Sequence, residues 1–291
     1  MRLQLNVSEV KKETKFGTTS TLLGIFLVVM LACAAAFPPQ HLIQQLQETR
    51  SSDTVSLEYL KNLVRSYPNY DEYRLLYVNQ LYLSREFHKA KINLLPILLH
   101  KTHNETYWIG KWYDYLINER ITHELPKNSA KAKKAKENLI KELTAFKKAK
   151  LSPSVFLNLT ISAIDLKQRE LALDFLNISY KNSRGLRIEE MSRAADYARW
   201  VNDYQLSADF YFAMKNRVLQ QSLERKYFLL GVKTLRSGNL LDEALIAAEK
   251  NIHGVEDDQD VLQYLAQLAL AANKPKIAQH YIDKALALKK T

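Results

Sequence analysis

Glu119 is the carboxylate in this sequence best set for acid catalysis, because it follows a run of aromatic side chains, Thr106 to Tyr115, that could hold a sugar ring beside it. Two of the chain's three tryptophans, Trp108 and Trp112, lie four residues apart and share one helix face. Tyr107, Tyr113 and Tyr115 spread aromatic surface around more than that face. Tyr107, Trp108, Trp112 and Tyr115 could therefore form a groove that stacks on sugar rings or grips a partner's apolar side chains. The same residues could equally serve as packing between helices. Single acidic residues at helix ends are usually surface groups, and nothing else in the sequence completes a reaction centre. His123-Glu124 is followed by Leu125-Pro126, so the two-histidine zinc motif is absent, and His100 with His103 lacks a nearby acidic third ligand. There is no phosphate-binding glycine loop and no Gly-x-Ser-x-Gly elbow. The sequence thus points to no catalytic residue, no cofactor and no metal, and to a protein that is not an enzyme.

A second cluster could bind by charge alone. Between Lys127 and Lys150, nine lysines face only Glu137 and Glu142, and Lys131, Lys133, Lys134 and Lys136 are bunched among alanines. Leu139, Ile140, Leu143 and Phe146 keep one helical face apolar, so the stretch reads as a packed helix with a basic outer face. Such a face is either simply solvated or attracts anionic surfaces. The chain carries 42 basic and 31 acidic residues, a formal charge of +11, and a pI near 9.4. Nucleic acid is set aside as a partner, because the lysine-rich face has few arginines, no stacking motif, and a location that seldom meets it. Anionic lipid or an acidic polysaccharide suits it better.

That location follows from the N-terminus. An uncharged apolar run from Thr18 to Phe37 is about 30 Å long as a helix, the thickness of a bilayer's hydrocarbon core. Arg2, Lys11, Lys12 and Lys15 precede it, and the next positive charges are Arg50 and Lys61, which puts the N-terminus in the cytoplasm. The expected organisation is a cytoplasmic basic leader over 1–17, a transmembrane signal anchor over 18–37, a linker over 38–55 and a helical repeat domain over 56–291. The bulk of the chain would lie beyond the membrane, most simply the inner membrane of a bacterium. Cleavage after Ala34 or Ala36 would instead release a soluble exported protein. Four glycosylation sequons, at Asn6, Asn104, Asn158 and Asn177, do not fix the origin. Cys33 is the only cysteine, so no internal disulfide forms.

The rest of the chain reads as all-α. Seven Gly and seven Pro in 291 residues are few for a β-rich protein, and helix formers abound. An apolar helix, a short polar turn and a second helix opening near an alanine recur along it. The last unit, Gln259 to Leu288, is clearest. Leu262, Leu265, Ala266 and Ala269 line one helix, Asn273-Lys274-Pro275 breaks it, and Ala278, Ile282 and Ala285 line the next. Upstream, Phe228, Gly231, Val232 and Leu235 pair with Ala244 and Ala248 across a turn one residue longer. Phe156, Leu159, Thr160 and Ala163 pair with Ala172 and Leu176, and Tyr77, Val78 and Leu81 pair with Ala90, Leu94 and Ile97. Ala194, Ala195 and Ala198 pair with Ala208, Phe210 and Phe212, and Glu105 to Lys150 is a divergent pair.

This pattern resembles the tetratricopeptide repeat family, with five or six units between Ser56 and Leu288 and a leading half unit at Ser56 to Tyr67. The resemblance implies an α-solenoid of helical hairpins behind the single transmembrane helix. It also implies a binding role, holding peptides or partner helices on a concave surface, without naming a partner; the expected anchor makes membrane or envelope proteins the partners. Exopolysaccharide secretion is a setting in which such regions occur. A polymer-binding or carbohydrate-active helical protein is the competing expectation.

Overall fold

A computed structural model describes residues 54–100, 104–126 and 128–288. Among these residues there are thirteen α-helices and no strand. They are α1 (Thr54–Ser66), α2 (Asp71–Leu83), α3 (Phe87–Leu98), α4 (Glu105–His123), α5 (Ala130–Ala145), α6 (Pro153–Asp165), α7 (Arg169–Lys181), α8 (Ile188–Trp200), α9 (Tyr204–Lys215), α10 (Gln221–Ser237), α11 (Leu241–Asn251), α12 (Gln259–Ala271) and α13 (Pro275–Leu288). The apolar run Thr18–Phe37 and its flanks lie outside the described residues, and no described helix is long and apolar enough to cross a membrane.

Five of the helix-to-helix turns are built alike. Arg85, Lys167, Asn202, Asn239 and Asn273 each hold a left-handed conformation, with φ between 56° and 60°. In every case the next residue's N–H reaches back to a carbonyl in the last turn of the preceding helix: Glu86 to Leu81, Gln168 to Ala163, Asp203 to Ala198 and Lys274 to Ala269 at 2.8 Å, and Leu240 to Leu235 at 3.0 Å. This reversal satisfies helix-end carbonyls that would otherwise lack partners, and in the four hairpins from α6 onward it sets the second helix back against the first. The turn at Asn239 has the same pattern as the others, so the extra residue expected there is not found. Gly238 merely closes α10, and Asn239 turns the chain.

The small residue expected near the start of each second helix is in place. Ala90, Ala172, Ala244 and Ala278 are at most 1 % exposed, and Ser207 holds the matching position in α9, one residue before the alanine expected from the sequence. Gly231 shows how tight the packing becomes: a Cβ there would sit 2.8 Å from the ring of Phe212. The last turns of the first helices contribute Leu81, Ala163, Ala198, Leu235 and Ala269, none more than 1 % exposed. One residue departs from expectation, since Ile282 of α13 is 40 % exposed while its neighbour Tyr281 is buried.

The described residues fall into two compact units, one up to Ala90 and one from Lys91 onward. In the first, α1 packs on α2, with Leu60, Val78 and Leu81 buried. In the second, every substantial helix contact joins helices of the same hairpin or of adjacent hairpins, which is the packing rule of a repeat array. Its core forms two clusters that meet at α9. Phe210, Tyr211 and Met214 belong to one, Ala208 and Phe212 to the other, so α9 is buried nearly all round.

The left-handed turns make a direct test possible. Asparagine tolerates this conformation, whereas Lys167 is held in it at a cost of roughly 1–2 kcal/mol. Lys167→Gly is expected to raise stability by up to about 1 kcal/mol in urea denaturation, and Asn202→Ala to lower it by about 1 kcal/mol, with Asn202→Gly near neutral.

Candidate functional site

The α4–α5 pair departs from the common turn. α4 runs for 19 residues and closes at Glu124, and α5 opens only at Ser129, whose hydroxyl accepts the Ala132 N–H at 3.1 Å. At the other end of α4, the Asn104 side chain accepts the Tyr107 N–H at 3.0 Å. Each such cap is worth about 1 kcal/mol. The longer, looser hairpin is closed by aromatic packing rather than by small residues. Phe146, in the short 3-10 turn after α5, is 2 % exposed and lies among three rings: Trp108 at 5.8 Å, Tyr115 at 6.2 Å and Trp112 at 6.3 Å between centroids. Trp112 stacks on Tyr115 at 5.7 Å, with only 9° between the ring planes.

The four aromatic candidates therefore divide. Tyr115 is 1 % exposed, and its hydroxyl donates to Glu119 at 3.1 Å. Burial pushes the Tyr115 phenol well up from its ordinary range. Trp112 is half-buried beside it in the core. Trp108 is part core and part surface, and with Tyr107, 5.3 Å away edge to face, it reaches a broad groove of about 880 Å³. The groove's other walls are Asn104, Glu105, Lys141, Thr144, Ala145, Lys148 and Lys150.

The lysines that meet the aromatic pair are thus not those singled out by density. Lys131, Lys133, Lys134 and Lys136 are exposed along the first half of α5. Lys136 instead faces a second pocket, of about 510 Å³, together with Glu119, His123 and Asp165. Lys141, Thr144 and Ala145 fall at the i, i+3 and i+4 positions at the end of α5, and Lys148 lies in the 3-10 turn that follows. The groove offers two flat aromatic surfaces and three ammonium groups, with Glu105 as its one carboxylate. That combination suits an anionic ligand with flat or apolar faces.

Glu119 itself ties helices together, since its Oε1 accepts both the Tyr115 hydroxyl and the Ser162 hydroxyl of α6, the latter at 2.9 Å. A second polar chain supports the site from behind. Lys91 of α3 donates to Asn118 at 2.5 Å, and the Asn118 amide donates to both oxygens of Glu142 on α5, at 3.1 and 3.2 Å. No three His, Cys, Asp or Glu side chains among the described residues converge as a metal site. His103 lies outside the described residues. The third tryptophan, Trp200, far from the aromatic run in sequence, is 63 % exposed at the end of α8 beside Tyr197. Asn104, Asn158 and Asn177 are all exposed, but the sequon hydroxyls of Thr160 and Ser179 are buried and bonded to backbone carbonyls.

No protein-family model matches the sequence, and no curated protein matches it. Among solved structures, the chain is similar to one in the "Crystal structure of APC/C hetero-tetramer Cut9-Hcn1". The TM-score is 0.39 and the identity 14 %, covering 83 % of this chain and 45 % of that one. This chain thus spans less than half the length of that one, and nothing about its own partners follows from the likeness.

Glu142 gives the hairpin a pH signature. Burial raises its carboxyl from the ordinary value of 4.5, against the Asn118 hydrogen bond that lowers it, with Asp114 adding to the rise. A raised carboxyl binds its proton more tightly in the folded chain, so this group's contribution to stability falls as pH rises from 4.5 through the folded value. Glu142→Gln keeps an acceptor for Asn118 without the charge. Its urea midpoint is expected to drop less between pH 5 and pH 7 than that of the parent. The slope should not vanish, because burial also raises Asp209.

Proposed function

We propose that this chain is a non-enzymatic, membrane-anchored scaffold that uses a tetratricopeptide-like hairpin array to bind partner proteins on the non-cytoplasmic side of a membrane. Cell-envelope assembly or exopolysaccharide secretion is the setting that fits best, in a bacterial inner membrane. The observation that carries the binding role is the groove on the α4–α5 hairpin. There, Tyr107 and Trp108 stand beside Lys141, Lys148 and Lys150, on the one hairpin that gives up the common turn. Aromatic side chains in such positions anchor interfaces, and the lysines select acidic partners, whether an acidic protein segment or an acidic polysaccharide.

The membrane part of the reading rests on the sequence. The apolar run Thr18–Phe37 is long enough to span, and its basic leader orients it. Anchoring would hold the groove close to partners in the same bilayer and raise their effective concentration. A second reading, a polymer-binding or carbohydrate-active protein, anchored or released by cleavage after Ala34 or Ala36, draws support from the pocket that Glu119 shares with Asp165 and His123. On that reading Glu119→Gln abolishes turnover of a polymer. On the scaffold reading there is no turnover to abolish.

The test is mass spectrometry of what co-purifies with the full-length chain after mild crosslinking in its own membranes, with Lys141→Glu/Lys148→Glu/Lys150→Glu alongside. A short, reproducible set of envelope proteins, or an acidic polymer, is expected, depleted at least about tenfold in the variant. An unchanged set in the variant would exclude the groove as the binding face. Loss of the chain from the membrane fraction on alkaline extraction would exclude the anchor.

A further inference from the structure

α3 buries one apolar face and leaves a second in solvent. Ala90, Leu94 and Ile97 are fully buried, whereas Ile92, Leu95 and Leu99 are 52 %, 54 % and 77 % exposed. These three fall at i, i+3 and i+7 and so share one side of the helix, which the Leu99 N–H extends by bonding to the Leu95 carbonyl at 3.0 Å. The stripe is peculiar to this helix. Counting from the left-handed residue of each turn, the same three outer positions in the other four such hairpins include a carboxylate every time: Asp174, Asp209, Glu249 or Asp283. On α3 all three are aliphatic.

Lysines frame the stripe. Helical geometry puts Lys89 and Lys91 on its two sides, and from Phe87 to Asn104 the sequence has three lysines, three histidines and no acidic residue. Lys89 pairs with Glu86, and Lys91 with Asp114 and Asn118. Both lysine side chains remain substantially exposed, and surface pairs of this kind are weak enough to be exchanged for another anion.

We infer that this face of α3 lies against a bilayer surface with anionic headgroups. The inference rests on the membrane anchor proposed above. The sixteen residues between Phe37 and Thr54 span at most about 55 Å, and α1 and α2 are each about 20 Å long, so the anchor keeps α3 within reach of the bilayer. The chemistry of the face selects lipid. Aliphatic side chains between flanking lysines suit a helix lying in the headgroup region, where the aliphatics enter the acyl boundary and the lysine stems carry their ammonium groups up to phosphates. The carboxylate that the other outer faces carry would be repelled by such a surface, and α3 lacks it.

The experiment uses the full-length chain with Cys33→Ser in lipid nanodiscs, carrying one environment-sensitive fluorophore on Ile92→Cys or on Ile246→Cys. Ile246 is the control because it holds the matching position on α11 and is also exposed, but shares its face with Glu249. Quenching by nitroxides carried on the lipid chains reports contact with the bilayer. In discs of mixed phosphatidylglycerol and phosphatidylcholine, quenching is expected to be several-fold greater at 92 than at 246, weaker in phosphatidylcholine alone, and lost on adding Leu95→Glu/Leu99→Glu. Both leucines are exposed, so that variant should keep the parent's helicity and urea midpoint, which is checked first. Equal quenching at the two positions in the mixed discs would overturn the inference. So would a fluorophore at 92 that is shielded from water yet unquenched, the result of a second copy or another segment on the face. Alkaline extraction tests the anchor separately. If the anchor fails, the chain is mixed with vesicles of the same mixed lipids: stronger quenching at 92 then upholds the face without the anchor, and equal quenching rejects both.

Discussion

The left-handed turn is the constraint on which the rest of this structure depends. A helix that simply stops leaves carbonyls without partners, and a chain that simply reverses leaves the direction of the next helix open. Placing one residue at positive φ and returning the following N–H to the helix behind resolves both at once, and the chain does so at Arg85, Lys167, Asn202, Asn239 and Asn273. Once the reversal is fixed, the residues that face each other across it are fixed too. Only alanine or serine is found at the closest approach, which is why Ala172, Ser207 and Ala278 are buried, and the contact between hairpins is as tight where Gly231 lies under Phe212. The turns from Lys167 onward recur about every 35 residues, so local geometry becomes a repeat.

The candidate binding groove lies where that rule lapses. Between Leu98 and Pro153 there is no left-handed residue among those described, α4 runs long, and large rings around Phe146 replace the small residues. Rings of that size cannot all be enclosed by two helices. Tyr115 is buried, Trp112 is half-buried, and Trp108 with Tyr107 spills out to the wall of a groove that α5 and the segment after it furnish with lysines. The polar links from Lys91 through Asn118 to Glu142, and from Tyr115 through Glu119 to Ser162, tie α4 to α3, α5 and α6. The aromatic wall of the groove thus stands on a helix held to its neighbours by hydrogen bonds.

Much of the fold is legible in the sequence because the close approach admits so few residue types. Alanines at helical spacing mark the hairpins, and asparagine marks three of the five turns. Lys167 and Arg85 are not legible as turn residues, since neither type favours positive φ. The apparent extra residue before Asn239 comes from counting Gly238 as part of the turn. Ile282 reads as core because apolar character suggests burial, whereas one residue's rotation places Tyr281 inward instead. At the site, Tyr107 and Trp108 stand out in the sequence. Lys141, Lys148 and Lys150 do not, because the denser cluster from Lys131 to Lys136 conceals them, and only the aromatic closure around Phe146 brings the later lysines beside the rings.

Binding at the α4–α5 groove is tested most directly in native membranes. A photocrosslinking phenylalanine analogue is placed at Tyr107 and compared with the same analogue at Ile246 on α11, which is 67 % exposed. A binding face at the groove requires discrete adducts from position 107, several-fold above those from 246, that disappear when Lys141 and Lys148 are reversed in charge. Equal adducts from the two positions, or adducts at 107 that survive charge reversal, would contradict it.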